Sequence, residues 1–365
     1  MISDGILSYM EKYKHEHLFF CQDEELDFKA ILAIHSTLLG PAGGGTRMWK
    51  YDSEIDAIED ALRLSRGMTY KYAAAGVNLG GGKTVIIADP KRPDREVIFR
   101  ALGRFINRLG GIYYTGEDVG TTLEDMEYIA METSYVITLP EYYGGIGPIS
   151  PMTAFGVLQA MRASAKEVFG SNDLSGKKIA VQGVGSVGSS LVEQLAELGA
   201  KLTISDIESG RVSELVKRLG VKEVHPDEIY DVDCDIFSPC ALGAIIDDDS
   251  IPKLKAKIVC GAANNQLKEE RHAEILEKKG ILYAPDYVAN SGGTIYDTDR
   301  LFGDGTVNKE RAKAKVIKIY NRMEDIIELA KRNKVTTAKA ADIFAEERMK
   351  AVAKIKPQWR QQTLS

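Results

Sequence analysis

The stretch KKIAVQGVGSVGSSLVEQLAELGAKLTISDIE, starting at Lys177, restricts the fold more than any other part of the chain. Gly183, Gly185 and Gly188 satisfy G-x-G-x-x-G directly after a β-rich run and at the start of a segment with Leu191, Leu195 and Leu198 at helical spacing. In that context the first glycine permits a tight turn, the second lets backbone approach a pyrophosphate, and the third allows close helix packing. The helix N-terminus adds the positive end of its dipole. The loop Gly183, Val184, Gly185, Ser186, Val187 and Gly188 is therefore expected to hold a dinucleotide. Asp206 ends the next β-rich run, at about the distance where an acidic side chain meets the adenosine ribose hydroxyls. Its carboxylate would repel a 2′-phosphate, which favours NAD over NADP. The alternative is an aspartate that only caps a helix.

Further β-rich runs, DCDIFSPC, AKIVCGAA and ILYAPDYV, follow with helical stretches between them, the rhythm of a doubly wound parallel sheet. A chain of 365 residues exceeds one usual core, so the expected α/β architecture has two domains around a cleft. Residues 1–148 are assigned to a substrate-binding and catalytic α/β domain and 149–330 to the dinucleotide-binding domain. Residues 331–365 are assigned to a helical segment that returns to the first domain. SPMTAFGVLQAMRASAKEVFG reads as a long connecting helix closed by Gly170. Ser53 to Arg66 reads as a helix behind a Ser53-x-x-Asp56 cap, with Ile55, Ile58 and Leu62 at helical spacing. Asn308 to Asn333 reads as one helix with Val316, Ile317, Tyr320, Met323 and Ile327 on a stripe.

A net charge of −6 provides no electrostatic footprint for nucleic acid or an anionic membrane, so the expected partners are small molecules and further copies of the chain. Asp4, Glu11, Lys12 and Lys14 interrupt the N-terminal stretch, and no apolar run reaches membrane-spanning length, which points to a cytoplasmic protein. Cys21, Cys234, Cys240 and Cys260 form no C-x-x-C pair and the histidines show no ligand spacing, so no metal is expected.

YKYAAAGVNLGGGKTVIIADP, from Tyr70, places Lys71 and Lys83 around small residues. It is not a P-loop: the required glycine position holds Val77, and a β-branched run follows the lysine where a helix should start. A glycine-rich turn with solvated lysines is the bland alternative. A dinucleotide domain shifts the balance, because a nicotinamide enzyme needs groups in the facing domain to hold substrate and move protons. Glu117 and Asp118, in a glycine-flanked loop after a strand-like run, are such groups.

At these residues the chain resembles the glutamate/leucine/phenylalanine/valine dehydrogenases, within them the leucine and phenylalanine branch. The likeness rests on GPAGGGTRMW, DALRLSRGMTYKYAAAGVNLGGGKTVI, TGEDVGTT, SPMTAFGV, VQGVGSVG, PCALGAII, GAANNQL and APDYVANSGG, in the same order over nearly the whole sequence. It implies NAD-dependent, reversible oxidative deamination of an L-amino acid to its 2-oxo acid and ammonia, by a homo-oligomer. It also implies that Lys71 binds the substrate carboxylate, Lys83 is the catalytic lysine and Asp118 its proton-transfer partner. Lys83 can stabilise the carbinolamine oxyanion and, when neutral, take a proton from water; the Lys71 ammonium and partial burial would lower its pKa. Thr153 and Asn264 would contact the nicotinamide end and the ribose of the cofactor, or serve only as a helix-start residue and a turn former. A descendant that binds ligands without turnover is the rival class, and the retained Lys71, Lys83 and Asp118 speak against it.

The chain departs from the branch in Gly147-Pro148-Ile149-Ser150-Pro151, where relatives read G-N-P-S-P, and in the side-chain pocket. There Gly43, Gly116, Thr294 and Asp297 stand where the branch has a leucine, an alanine and two valines. The expectation is a larger and more polar pocket that disfavours leucine and prefers a longer polar, cationic or aromatic side chain. Asp297 facing solvent, with plain leucine/valine activity, is the alternative.

Overall fold

A computed structural model of the chain describes residues 2, 5–302 and 305–355 and arranges them on two sheets. The first contains β1 (His17–Asp23), β2 (Phe28–Ser36), β3 (Ala42–Trp49), β4 (Gly80–Ile87) and β5 (Tyr113–Glu117), in the order β1-β2-β4-β3-β5. β2 is antiparallel to β1 and β4, whereas β3 is parallel to β4 and β5. Both faces of β2 are covered, which is why FKAILAIH is a nearly continuous apolar run and not an alternating one. Helices α1 (Ile6–Tyr13) and α2 (Glu54–Ala75) pack on the face carrying Ile31, Ala33 and Val85. Helices α3 (Arg95–Arg108) and α4 (Leu123–Ala130) pack on the face carrying Leu32, Ile34 and Ile86.

Helix α5 (Ser150–Phe169) leads to the second sheet and ends at Gly170 with φ 76°, a left-handed C-cap suited to glycine. The second sheet contains β6 (Lys178–Gln182), β7 (Lys201–Ser205), β8 (Lys222–Glu223), β9 (Ile236–Pro239), β10 (Ile258–Val259) and β11 (Leu282–Tyr283). All are parallel, in the order β11-β10-β9-β6-β7-β8, with α6 (Ser186–Glu197), α7 (Ser209–Leu219) and α8 (Arg271–Lys278) among the crossovers. The strand order reverses between β6 and β9, so the glycine loop after β6 lies at the switch point where ligands bind in such sheets.

The chain then forms α9 (Asp286–Ala289), α10 (Gly292–Asp297), α11 (Lys309–Ile317), α12 (Ile319–Asn333) and α13 (Thr337–Ala353). The single helix expected over Asn308 to Asn333 is divided at Lys318. Val316, Met323 and Ile327 are buried as predicted, but Ile317 is 45% exposed. α2 runs well beyond Arg66: Ser53 caps it by accepting from the Asp56 N–H at 3.2 Å, Ile55 points to solvent, and the helix continues through Lys71. α12 lies on α5 and α13 on α2. Residues 356–365 of the predicted C-terminal segment lie outside the described residues. Among the described residues no helix is long and apolar enough to cross a membrane.

Candidate active site

Lys71 comes from the last turns of α2 and Lys83 from the middle of β4, and their proximity follows from a missing side chain. A Cβ on Gly81 would lie 2.3 Å from the Thr69 nitrogen and 2.4 Å from the Ser65 carbonyl oxygen, so only glycine lets α2 lie this close to β4. Likewise a Cβ on Gly80 would meet the Ser36 carbonyl and one on Gly82 the Tyr113 ring. The glycine triplet makes room for neighbouring protein. Arg348 of α13 fixes the end of α2 by donating to the carbonyls of Tyr72, Ala73 and Val77 at 3.2, 3.1 and 2.8 Å.

Lys83 is 4% exposed and its Nζ lies 2.8 Å from Oδ2 of Asp118, which follows β5. Arg47 of β3 donates from Nε to the same oxygen at 2.9 Å and from a terminal nitrogen to Asp60 at 2.8 Å; Tyr51 also donates to Asp60, at 2.7 Å. Burial pushes the Lys83 ammonium below its usual range. Burial would raise Asp118, but Lys83 and Arg47 outweigh it and hold that carboxyl down at about 2. Arg47 is a further cation bearing on Lys83, beside the Lys71 ammonium expected from sequence, and burial is nearly complete, not partial. Lys71 is lowered to about 8, by burial first, with Lys83 adding to the effect against Asp286 and Asp118. Among the described residues the Lys71 ammonium has no hydrogen bond or ion pair, so it is available to an anion.

Lys71, Lys83 and Asp118 line one cavity of about 620 Å³, together with Gly116, Thr294, Asp297 and Asn264. Gly43 does not line it. A Cβ on Gly43 would lie 2.8 Å from the Tyr72 hydroxyl, so the space released there is filled by a tyrosine. At Gly116 a Cβ would lie 2.7 Å from Oγ1 of Thr138. The Tyr72 and Thr138 hydroxyls thus stand beside the two glycines. Asp297, at the end of α10, is 6% exposed and accepts a 2.6 Å hydrogen bond from Thr138 through Oδ2. Its Oδ1 is buried and has no hydrogen-bond partner among the described residues. Burial raises the carboxyl to about 6 against the Thr138 bond and the charge of Arg300.

In the glycine loop, Gly183 has φ 92°, and a Cβ on Gly188 would lie 2.0 Å from the Gly183 carbonyl, which explains both residues. Gly185 caps α6 and has nothing within 4 Å of its Cβ position, leaving a cradle beside a helix start. The first bond of that helix runs from Ser189 N–H to Gly185 O, so the N–H groups of Ser186, Val187 and Gly188 precede the ladder. These residues fit a pyrophosphate. Asp206 accepts from Val184 N–H at 2.7 Å and from Glu208 N–H at 2.9 Å, which puts its carboxylate at the mouth of the loop. Thr153, in the first turn of α5, donates to the Ile149 carbonyl at 3.2 Å; Asn264 accepts from Asn290 at 2.7 Å.

Residues 15–135 match the family described as Glu/Leu/Phe/Val dehydrogenase, dimerisation domain, and 144–214 and 207–356 match Glutamate/Leucine/Phenylalanine/Valine dehydrogenase. The chain belongs to this family. It is 56% identical to the leucine dehydrogenase of Thermoactinomyces intermedius over 349 residues, 96% of this chain and 94% of that one. It is 48% identical to the phenylalanine dehydrogenase of Lysinibacillus sphaericus over 333 residues, 90% and 87% of the two chains. A solved structure of L-tryptophan dehydrogenase from Nostoc punctiforme superposes with a TM-score of 0.84 at 42% identity, covering 95% of this chain and 99% of that one. The protein is thus an amino-acid dehydrogenase of the leucine/phenylalanine branch, an oxidoreductase acting on CH–NH₂.

In this dehydrogenase, sequence reasoning missed Arg47, Tyr72 and Thr138. Arg47 stands in the motif GPAGGGTRMW and could have been found from its strand position beside the lysine strand. Tyr72 and Thr138 are visible only once the chain is folded, because each fills space above a glycine remote in sequence.

Proposed function

We propose that the protein catalyses NAD-dependent, reversible oxidative deamination of an L-amino acid to its 2-oxo acid and ammonia. The observation that carries this reading is the buried Lys83–Asp118 pair beside an unpaired Lys71 ammonium in one cavity. Lys71 binds the substrate carboxylate and so presents Cα to the cofactor domain. The glycine loop with Asp206, Thr153 and Asn264 would hold NAD⁺, which would supply the acceptor for the Cα hydride. Lys83 then delivers water to the resulting iminium by accepting its proton, and its ammonium stabilises the carbinolamine oxygen as the carbonyl forms. Asp118 passes on to the departing nitrogen the proton that Lys83 took from water, and the Lys83 amine so freed accepts the hydroxyl proton as the carbonyl forms. A carboxylate with two cations on one oxygen is a weak base, but when Lys83 is neutral it loses the larger of them; the pair therefore titrates as a unit.

Supporting NAD is the Asp206 carboxylate at the loop mouth, where a 2′-phosphate would be repelled. A panel of common L-amino acids at alkaline pH, followed by NADH absorbance, tests the activity. NAD is expected to surpass NADP by at least about tenfold in kcat/KM, and equal use of the two would remove Asp206 from its role. Leucine/valine activity is the second reading, favoured by the name of the Thermoactinomyces relative. A homo-oligomer is proposed as well, supported by the dimerisation-domain description of the family matching residues 15–135. Light scattering should then return a multiple of 40.1 kDa, and the mass of a single chain would refute it.

A further inference from the structure

Resting on the deaminase reading above, we propose that Asp297 recognises the far end of the substrate: its free Oδ1 accepts an N–H or O–H from the substrate side chain. The substrate class is then L-amino acids whose side chains carry a terminal hydrogen-bond donor.

Asp297 lines the same cavity as Lys71 and Lys83 but comes from the other domain, at the end of α10. An aspartate is seldom buried to this extent without its oxygens being satisfied. Here Thr138 satisfies Oδ2 alone, at 2.6 Å, and Oδ1 has no hydrogen-bond partner among the described residues. Arg300, whose charge bears on Asp297, gives its hydrogen bonds elsewhere, to the carbonyls of Val136 and Ile137. The surroundings do not compensate in another way: Glu117 adds negative charge, and the buried Tyr72 phenol, held protonated by burial and by Asp297 itself, lines the cavity without a hydrogen-bond partner. Leaving a buried acceptor unmade is costly, whereas a donor from a ligand gives a charge-assisted bond and removes that cost.

A purely structural clasp between the domains predicts something different. The Thr138 bond uses one oxygen, so asparagine would serve as well, and the second oxygen would have no reason to be a carboxylate oxygen buried without a partner. The donor can be a cation, as in an ammonium or guanidinium, or neutral, as in an indole, phenol or amide; both present the same chemistry to Oδ1. An apolar side chain of equal length leaves the oxygen unpaired, and sites built on such a bond reject analogues that lack the donor.

Matched pairs test the idea on the intact protein with NAD⁺: lysine against norleucine, tyrosine against phenylalanine, and tryptophan against benzothienylalanine. In at least one pair the donor-bearing member is expected to lead in kcat/KM by about tenfold or more. The pair that responds distinguishes a cationic from a neutral donor. Asp297→Val should reverse that lead. Asp297→Asn should abolish it while keeping the clasp, because the amide oxygen takes the Thr138 bond and leaves an N–H₂ group facing the ligand. If either variant fails to fold, the wild-type ratios still decide. Apolar members equal or ahead in every pair overturn the proposal, as does a lead unchanged in both variants; leucine turnover in that case leaves the deaminase reading intact. Absence of NADH from every amino acid, leucine included, overturns both.

Discussion

Lys83→Ala is expected to lower kcat for deamination by about 10⁴-fold while NADH, titrated by its fluorescence, binds as in the wild type. The lysine is asked to activate water and to stabilise the carbinolamine oxygen, and neither task involves the dinucleotide. The fold should tolerate the change, since Asp118 keeps the Arg47 guanidinium at 2.9 Å. Turnover within tenfold of wild type would remove Lys83 from the chemistry. Lys71→Ala should behave differently. Losing the carboxylate partner raises KM by about 10- to 100-fold and lowers kcat less, to the extent that misplaced substrate reacts poorly. A Lys71→Ala enzyme with unchanged KM and collapsed kcat would reverse the two assignments.

Asp297→Asn is expected to stabilise the ligand-free protein at pH 8 and not at pH 4. Burial raises the folded-state carboxyl from 3.8 to about 6, so its stabilising contribution is present below pH 4 and lost as pH rises through 6. The interval corresponds to about 3 kcal/mol, an upper figure because the asparagine must itself be buried with an unpaired amide. Thermal unfolding of both proteins across this range measures it. A variant less stable than wild type at pH 8 would mean that the carboxylate is held for the integrity of the fold. Removing functional groups that are poorly satisfied often stabilises a protein in this way.

The second domain was legible because parallel strands buried on both faces leave apolar runs, and because Gly183 and Gly188 answer local backbone demands. The helix after Ser53 carried its own cap, and the helix from Ser150 its own stop at Gly170. Less could be read where spacing depends on tertiary approach. Gly80, Gly81 and Gly82 look the same in sequence whether they admit a ligand or neighbouring protein, and what they admit is protein: the Ser36 carbonyl, α2 and the Tyr113 ring. The division at Lys318 has no glycine or proline to mark it. The Lys83–Asp118 pair was legible only through the family likeness, since nothing local brings β4 and the end of β5 together. Gly43 was understood as vacated space, yet Tyr72 occupies it.

The Thr138–Asp297 bond joins a residue of the first domain to one of the second. Any rotation that parts them admits water to a carboxylate that is dry when they meet. Water at that oxygen would remove the cost of leaving a buried acceptor unpaired. A donor from a bound side chain would remove the same cost without parting them.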